Sequence, residues 1–271
     1  MANFMIWGGP VFCSTINQVP WETETKVSCK PLTGDENGKY YNSLVGGELT
    51  PLQKLIRAAM GDETPERVGI AGFSAFHNFA NKMLANSDDR ATISYVHLAD
   101  SCFDAKNATT PKQGYLAYAT EAMSGADKAM IVTTSGVPGV DVTYQNPDGS
   151  SFAHKNGHDS FDMVWQAALS ASGATETVQE SLPDGLPPPV WTKRAGNVIW
   201  LSYEQTMTHE QHVKALAVPL MTFFGVPWMK DPSSGVARSV SMKAEEARRN
   251  YTVPILVGLG LLAAWLIWRR G

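Results

Sequence analysis

Five short apolar runs divide the chain, and segments with a helical spacing of apolar residues lie between them. The runs cover residues 3–7, 67–73, 92–98, 128–134 and 197–203. Most are rich in aliphatic or aromatic side chains and bounded by turn-forming residues, which is typical of buried strands. Helices are predicted at residues 50–60, 75–86, 113–124, 159–171 and 209–223. This alternation predicts an α/β fold, with a mostly parallel sheet of about five strands and helices on both faces.

Capping signals mark the ends of two predicted helices. Thr50 precedes the first helix, Pro51 stands at its first position and Gly61 follows its end; these residue types favour such boundaries. Thr208 and Gln211 have the spacing of a capping box, which predicts the start of the last helix. Three segments are read as irregular or loop-forming: residues 11–49, 136–157 and 173–192.

The last part of the chain is strongly apolar. Residues 251–268 contain no charged side chain, and Tyr251, Trp265 and Trp268 stand near the two ends of the run. As a helix the run spans about 27 Å, close to the hydrocarbon thickness of a bilayer. Aromatic rings favour the membrane boundary. The pattern predicts one C-terminal transmembrane helix, with a buried core helix as the alternative.

This span predicts a three-part organisation. Residues 1–228 form a globular head, 229–250 a juxtamembrane linker or helix, and 251–268 a single-pass anchor in a lipid bilayer. The N-terminal residues lack the basic region of a secretory signal. The head is therefore expected in the cytoplasm, or facing the interior of a viral or cellular compartment. Basic residues between Lys243 and Arg249 are expected to meet anionic lipid headgroups.

Composition narrows the function classes further. The net charge is −4, and the head contains no basic cluster, so nucleic-acid binding is not expected. The three cysteines, Cys13, Cys29 and Cys102, form no CxxC motif. Two interpretations are possible: a Cys13–Cys29 bridge, or buried or free thiols. No cofactor is expected, and the sequence gives no signal of an oligomeric state.

Candidate catalytic residues follow the predicted strands, at the edge where parallel sheets usually carry function. Ser74 lies between a strand and a helix with no loop between them, the arrangement of a nucleophile elbow. The elbow favours small residues two positions before and after the serine. Gly72 fits this pattern and Phe76 departs from it. The alternative is that Ser74 only caps a helix.

A serine nucleophile needs a base and a carboxylate that orients it. Six histidines are available, and His77 and His97 are expected to be structural because they lie inside elements. His212 is the preferred base because it follows the last strand, and His209 and His158 are the alternatives.

The orienting carboxylate and the oxyanion donors are predicted from the same strand ends. Asp100 is the preferred carboxylate, and Asp104 and Asp141 are alternatives. Backbone N–H groups of Gly9, after Gly8 at the end of the first strand, and of Ala75 are the candidate oxyanion donors. An ordinary turn at Gly8-Gly9-Pro10 is the competing interpretation.

Several motifs together resemble the α/β-hydrolase superfamily. They are GFSAFH, YVHLADSCFDA, the stretch from GYLAYATEAM to IVTTSG, and HEQHVKAL, within about residues 65–225. Within the superfamily the chain is similar to little-characterised bacterial hydrolase-like proteins. The resemblance implies Ser74 as nucleophile, Asp100 as acid and His212 as base. Phe76 departs from the elbow, and Thr134 stands where that pattern has histidine.

These observations predict a membrane-anchored serine hydrolase that acts on a small ester or lipid. A non-catalytic hydrolase-fold scaffold or binding protein on a cellular or viral membrane is the alternative, which Phe76 favours. A third reading is a metal-dependent hydrolase built on the polar cluster His154, His158, Asp159 and Asp162. Asn156 and Gly157 make that segment a loop instead of a regular helix, so no metal site is predicted.

Overall fold

The computed structural model describes residues 3–8, 11–17, 26–31, 34–125, 127–145, 151–179, 182–204 and 206–230. The predicted anchor at 251–268 and most of the predicted linker at 229–250 lie outside these ranges. Among the helices that are described, none combines the length and the apolar character needed to cross a membrane.

Ten strands are found in the described residues. They are β1 (Asn3–Gly8), β2 (Val11–Asn17), β3 (Lys26–Pro31), β4 (Arg67–Phe73), β5 (Ile93–Ala99), β6 (Ala129–Ser135), β7 (Val142–Gln145), β8 (Ser151–His154), β9 (Trp191–Ala195) and β10 (Val198–Glu204). Eight of them form one sheet in the order β3-β2-β1-β4-β5-β6-β10-β9, and β7 and β8 form a separate hairpin.

The centre of the main sheet is parallel. Strands β1, β4, β5, β6 and β10 pair with their neighbours in parallel register. These are the five strands that the apolar runs predict, with boundaries that differ by a residue or so. The prediction of an α/β fold with a mostly parallel sheet is confirmed.

Antiparallel strands extend both edges of the sheet, and the sequence patterns did not predict them. Strands β2 and β3 continue the sheet beyond β1, and β9 pairs with β10. The hairpin of β7 and β8 lies within residues 136–157, which the sequence predicts to be a loop. These strands are short or mixed in polarity, so their pairing depends on the neighbouring strand. The β2–β3 register places Cys13 opposite Cys29, and the two alternatives, a bridge and free thiols, both stay predictions.

Helices connect the strands. They are α1 (Gly34–Leu44), α2 (Pro51–Met60), α3 (His77–Ala85), α4 (Ser87–Thr92), α5 (Gln113–Met123), α6 (Gly157–Ser172), α7 (His209–Gln211), α8 (Val218–Leu220) and α9 (Val226–Lys230). Thr50 caps α2 as predicted, and it forms a capping box there with Gln53, while Gly61 caps the end of the helix. Thr208 and Gln211 form the predicted capping box at α7.

The last helices form one terminal helical segment, residues 209–230. Two π-helical stretches, His212–Ala217 and Met221–Gly225, alternate with α7, α8 and α9. A π-helical turn is wider than an α-helical turn and is rare in proteins. The segment therefore departs from the regular helix that its sequence predicts.

Helices cover both faces of the sheet, as predicted. Helices α2, α3, α5 and α6 contribute to one buried apolar cluster, and the terminal helical segment contributes to a second cluster on the other face. The parallel strands follow one another in chain order. Because crossovers between parallel strands are almost always right-handed, steps in a single direction place the connecting helices on one face. The terminal helical segment is left to cover the opposite face.

Candidate active site

The residues that follow the central strands meet at the carboxyl edge of the sheet. The backbone N–H of Ser74, after β4, donates to the carbonyl of Asp100, after β5, at 3.3 Å. The N–H of Asp100 donates to the carbonyl of Thr133 on β6 at 2.8 Å. These bonds continue the sheet pairing past the strand ends and hold positions 74 and 100 side by side.

Ser74 occupies a tight turn between strand and helix. Its φ of +56° lies in the left-handed region, which is uncommon for a residue with a side chain. It begins a 3₁₀ turn, Ser74–Phe76, that leads directly into α3. The serine is partly exposed. Strain of this kind concentrates at functional sites, and it places Ser74 in the conformation expected of a nucleophile elbow.

Two side chains hold the carbonyl of Ser74. The Ser101 hydroxyl donates to this oxygen at 2.9 Å, and Nδ1 of His77 lies 3.1 Å from it. Burial lowers the pKa of His77 to about 3, with nearby Lys112 acting in the same direction. The imidazole is therefore neutral, and its bond to a carbonyl requires the proton on Nδ1. These two donors fix the strained turn in place.

Phe76 packs into the core beside the turn that carries Ser74. Its side chain is fully buried and belongs to the core cluster beneath the crossover helices. A Cβ atom at Gly72 would lie 1.7 Å from Cδ1 of Phe76. The ring therefore uses the space beside Gly72, and it stacks on Phe79 with centroids 5.4 Å apart. The departure from the small residue is accommodated by packing into the core.

Asp100 is the centre of the hydrogen-bond network. Its side chain is fully buried, and its φ is +44°. Oδ2 accepts from the Ser135 hydroxyl at 2.5 Å and lies 2.6 Å from Nδ1 of His209, while Oδ1 accepts from the Ser135 N–H at 2.9 Å. Gly157 allows close approach here, because a Cβ at that position would lie 2.5 Å from Oδ1.

The electrostatic environment keeps the Asp100 carboxylate ionised. Burial by itself raises the pKa of Asp100, but the hydrogen bond from His209 and the charges of His212 and His209 outweigh it, with Ser135 adding to the effect. The pKa of Asp100 lies below its ordinary value. A buried carboxylate of this kind can orient an imidazole and stabilise its protonated form.

His209 is the imidazole that Asp100 binds. Its ring stacks on Phe73, the residue before Ser74, with centroids 4.4 Å apart, and meets the edge of Phe103 at 5.6 Å. The side chain is 26% exposed, so it reaches the surface of the site. Among the described residues, the Ser74 hydroxyl forms no hydrogen bond, either with His209 or with another group.

His212, the base that the sequence favours, lies one helical turn after His209 and further into the interior. It is fully buried, its Nδ1 lies 2.9 Å from Thr133 Oγ1, and its Nε2 has no partner among the described residues. Burial lowers the pKa of His212, Asp100 opposes this shift, and His209 reinforces it. The structure therefore joins Asp100 to His209, the alternative base, and not to His212.

The other histidines make different contacts. The ring of His158 packs against Trp191 and Trp200, and its Nδ1 lies 3.2 Å from Asp159. His154 contacts the edge of Phe103, with centroids 5.0 Å apart. Within the described ranges, no three His, Cys, Asp or Glu side chains are grouped so that they could hold a metal ion.

The alternative carboxylates and the candidate oxyanion donors complete the set of predicted site residues. Asp104 pairs with Lys112 at 3.1 Å, and Asp141 pairs with Lys106 at 3.4 Å, so neither contacts the site histidine. Ala75 follows Ser74 within the 3₁₀ turn. Gly8 ends β1 opposite Gly72, and Gly9 lies outside the described residues.

No motif in the sequence assigns a role to Ser135, Ser101 or Thr133. Ser135 stands among the strand-end residues, which is the only signal that the sequence carries for it. Ser101 and Thr133 have no motif, and their importance depends on which groups the fold brings to them.

Comparison of the chain with protein-family models, with curated proteins and with solved structures gives no match.

Proposed function

We propose that the protein is a serine hydrolase of the α/β-hydrolase type that acts on carboxylic esters. Ser74 is the nucleophile, His209 the general base and Asp100 the orienting carboxylate. The observation that carries the proposal is the 2.6 Å contact between Asp100 and His209, made by an imidazole that stacks against the residue preceding a strained serine. The parallel α/β fold and the Ser…Asp…His order along the chain agree with it.

The chemistry follows from the positions of these groups. The Ser74 oxygen attacks the ester carbonyl carbon while Nε2 of His209 accepts its proton. Asp100 stabilises the imidazolium that results. The tetrahedral intermediate collapses, and the alcohol leaves with the proton from His209. Water then attacks the acyl-enzyme with His209 again as the base, and the acid is released while Ser74 regains its proton. The backbone N–H of Ala75 is the proposed donor to the developing oxyanion, with Gly9 as its predicted partner.

We further propose that residues 251–268 anchor the head to a membrane, which favours lipid esters or other esters held at a surface. Arginine at the centre of a membrane helix costs about 3 kcal/mol by insertion scales. The variant with Leu259→Arg and Leu262→Arg should therefore lose flotation with phosphatidylcholine vesicles, whereas the wild-type chain should float. Equal flotation of the two proteins would contradict the anchor.

A non-catalytic scaffold is the second candidate, and one observation favours it. The Ser74 hydroxyl has no hydrogen bond to His209 in the described part of the chain. Catalytic hydrogen bonds are often loose before substrate binds, so this gap is compatible with an enzyme. A scaffold, in contrast, needs no such bond at any stage.

A fluorophosphonate probe separates the two candidates. The full chain in detergent should be labelled, and labelling should disappear in Ser74→Ala. Ser124→Ala is the matched control, because that exposed hydroxyl donates to the Thr120 carbonyl at the end of its own helix; its labelling should equal the wild type. A folded wild-type protein that resists the probe would favour the scaffold.

A further inference from the structure

The terminal helical segment brings two histidines to the sheet at different depths. His209 and His212 are three residues apart, so they lie on the same side of the helix, about one turn from each other. His209 lies at the partly exposed rim beside Asp100, and His212 lies in the interior with no exposed surface. The position of His209 over Asp100 therefore depends on how the segment is seated on the sheet.

Thr133 joins this segment to Asp100. Its side-chain oxygen lies 2.9 Å from Nδ1 of His212, and its backbone carbonyl accepts from the N–H of Asp100 at 2.8 Å. One residue of β6 thus contacts both the strand end that carries the carboxylate and the turn that carries the base. A displacement of His212 from Thr133 would displace His209 from Asp100 with it.

A histidine at position 212 destabilises the fold more than an apolar residue would, so packing alone does not explain it. Its Nε2 is buried without a partner in the described residues, and so are both ring nitrogens of His97 and the hydroxyl of Tyr203 on the same face of the sheet. A buried polar group without a partner destabilises a fold, whereas an apolar side chain of similar shape would not. The polar contact to Thr133 gives the segment a fixed register that apolar packing alone does not impose.

The local helix geometry agrees with a fixed register at this point. The segment changes from α-helical to π-helical at His212, immediately after the three residues of α7. A wider turn alters the angular position of the residues on either side of it. His212 is thus the point at which the first turn, with His209, is fixed relative to the rest of the segment.

We infer that His212 and Thr133 are positioning residues that seat the terminal helical segment so that His209 reaches Asp100. This inference rests on the proposed function, in which His209 is the base. Neither residue contacts the reacting atoms, and both act through the Asp100–His209 pair. Removal of the Thr133–His212 contact should change the geometry of that pair while Ser74 and its turn stay in place.

Three variants of neighbouring threonines test the inference in the full-length protein. Thr133→Val removes the hydroxyl and keeps the shape, and Thr133→Ser keeps the hydroxyl. Thr134→Val is the matched control, because Thr134 is equally buried, lies next along β6 and accepts from Trp200 at 2.9 Å. A circular dichroism spectrum and a melting temperature check that each variant is folded.

The first readout is the ring tautomer of His209, measured by proton–nitrogen correlation spectra of 15N-histidine-labelled protein. Wild type, Thr133→Ser and Thr134→Val should show one form with the proton on Nδ1. Thr133→Val should lose this single form and show exchange between tautomers. A wild-type His209 spectrum in Thr133→Val, or an equal change in Thr134→Val, would overturn the inference.

The second readout is ester hydrolysis. Displacement of a catalytic group by about 1 Å costs up to roughly a hundredfold in rate, so kcat should fall by about ten- to a hundredfold in Thr133→Val, with KM unchanged. A rise in KM with constant kcat would contradict a positioning role. A wild-type protein without hydrolysis would refute the proposed function, while the tautomer spectra would still decide the seating of His209.

Discussion

The phenyl ring of Phe76 occupies the space that a side chain at position 72 would need. A Cβ at Gly72 would lie 1.7 Å from the ring, so the two residues are packed as a complementary pair within the elbow. From the sequence alone, Phe76 departs from the small residue of a nucleophile elbow and favours a non-catalytic protein. In the fold it is a core residue, and Gly72 is the residue that makes room for it.

The first prediction concerns this pair. Phe76→Gly, which restores the small residue of the elbow, should lower the free energy of unfolding by about 3–5 kcal/mol, because it leaves a cavity in the core. It should not increase the rate of ester hydrolysis or of fluorophosphonate labelling. Urea denaturation and labelling kinetics provide the two measurements. A faster and equally stable variant would show that Phe76 restricts the site.

The second prediction distinguishes the candidate bases. His209→Gln should slow fluorophosphonate labelling and hydrolysis by about 10²- to 10⁴-fold, the usual contribution of a general base. His158→Gln is the control, since the His158 ring packs against Trp191 and Trp200 and its Nδ1 lies beside Asp159. Its activity per folded molecule should match the wild type. Full activity in His209→Gln would remove this residue from the mechanism.

The third prediction concerns the close approach of Gly157 to Asp100. In Gly157→Ala the new Cβ would lie 2.5 Å from Oδ1, so the carboxylate must move or α6 must shift. We expect a loss of about 1–3 kcal/mol in unfolding free energy, as for other overpacked sites, and a clear fall in kcat.

Gly139→Ala is the control for the third prediction. Gly139 has a φ of +78° and no atom within 4 Å of an added Cβ. It should cost about 1 kcal/mol from backbone strain alone and leave kcat intact. If both variants lose activity equally, the loss comes from general destabilisation and not from Asp100.

The fourth prediction is that acid destabilises the fold. Burial lowers the pKa of His77 and of His97 to about 3, from the ordinary value of 6.5, and burial also lowers the pKa of His212. At a pH between about 3 and 6.5, these histidines bind protons in the unfolded chain but not in the folded chain. The free energy of unfolding should therefore fall as the pH decreases from about 6.5 toward 3. The lowered pKa of Asp100 acts in the same direction below its ordinary value.

Urea denaturation between pH 7 and pH 5 measures this effect. Each such histidine adds a slope of up to about 1.4 kcal/mol per pH unit. His97→Leu should reduce the slope by up to that amount, since His97 is buried beside Tyr95 and His212 and its ring nitrogens have no partner in the described residues. An unchanged slope in this variant would show that another group binds the protons.

Much of the fold can be predicted from the sequence because local patterns decide it. The five parallel strands coincide with five apolar runs, since strands buried on both faces must be apolar along their length. The caps at Thr50 and Thr208 follow from side chains that bond the nearest backbone groups. The edge strands β2, β3 and β9 are short or mixed in polarity, so no apolar run marks them, and they form by antiparallel pairing with the adjacent strand.

Local patterns along the chain are enough to place Ser74, Asp100 and the late histidines at strand ends, and therefore at one edge of a parallel sheet. Which histidine meets Asp100 depends on long-range contacts. His209 and His212 lie one turn apart, and the choice between them depends on the seating of a helix whose turns widen at His212. That seating is fixed by contacts with Thr133 and the sheet, which no local pattern in the chain encodes.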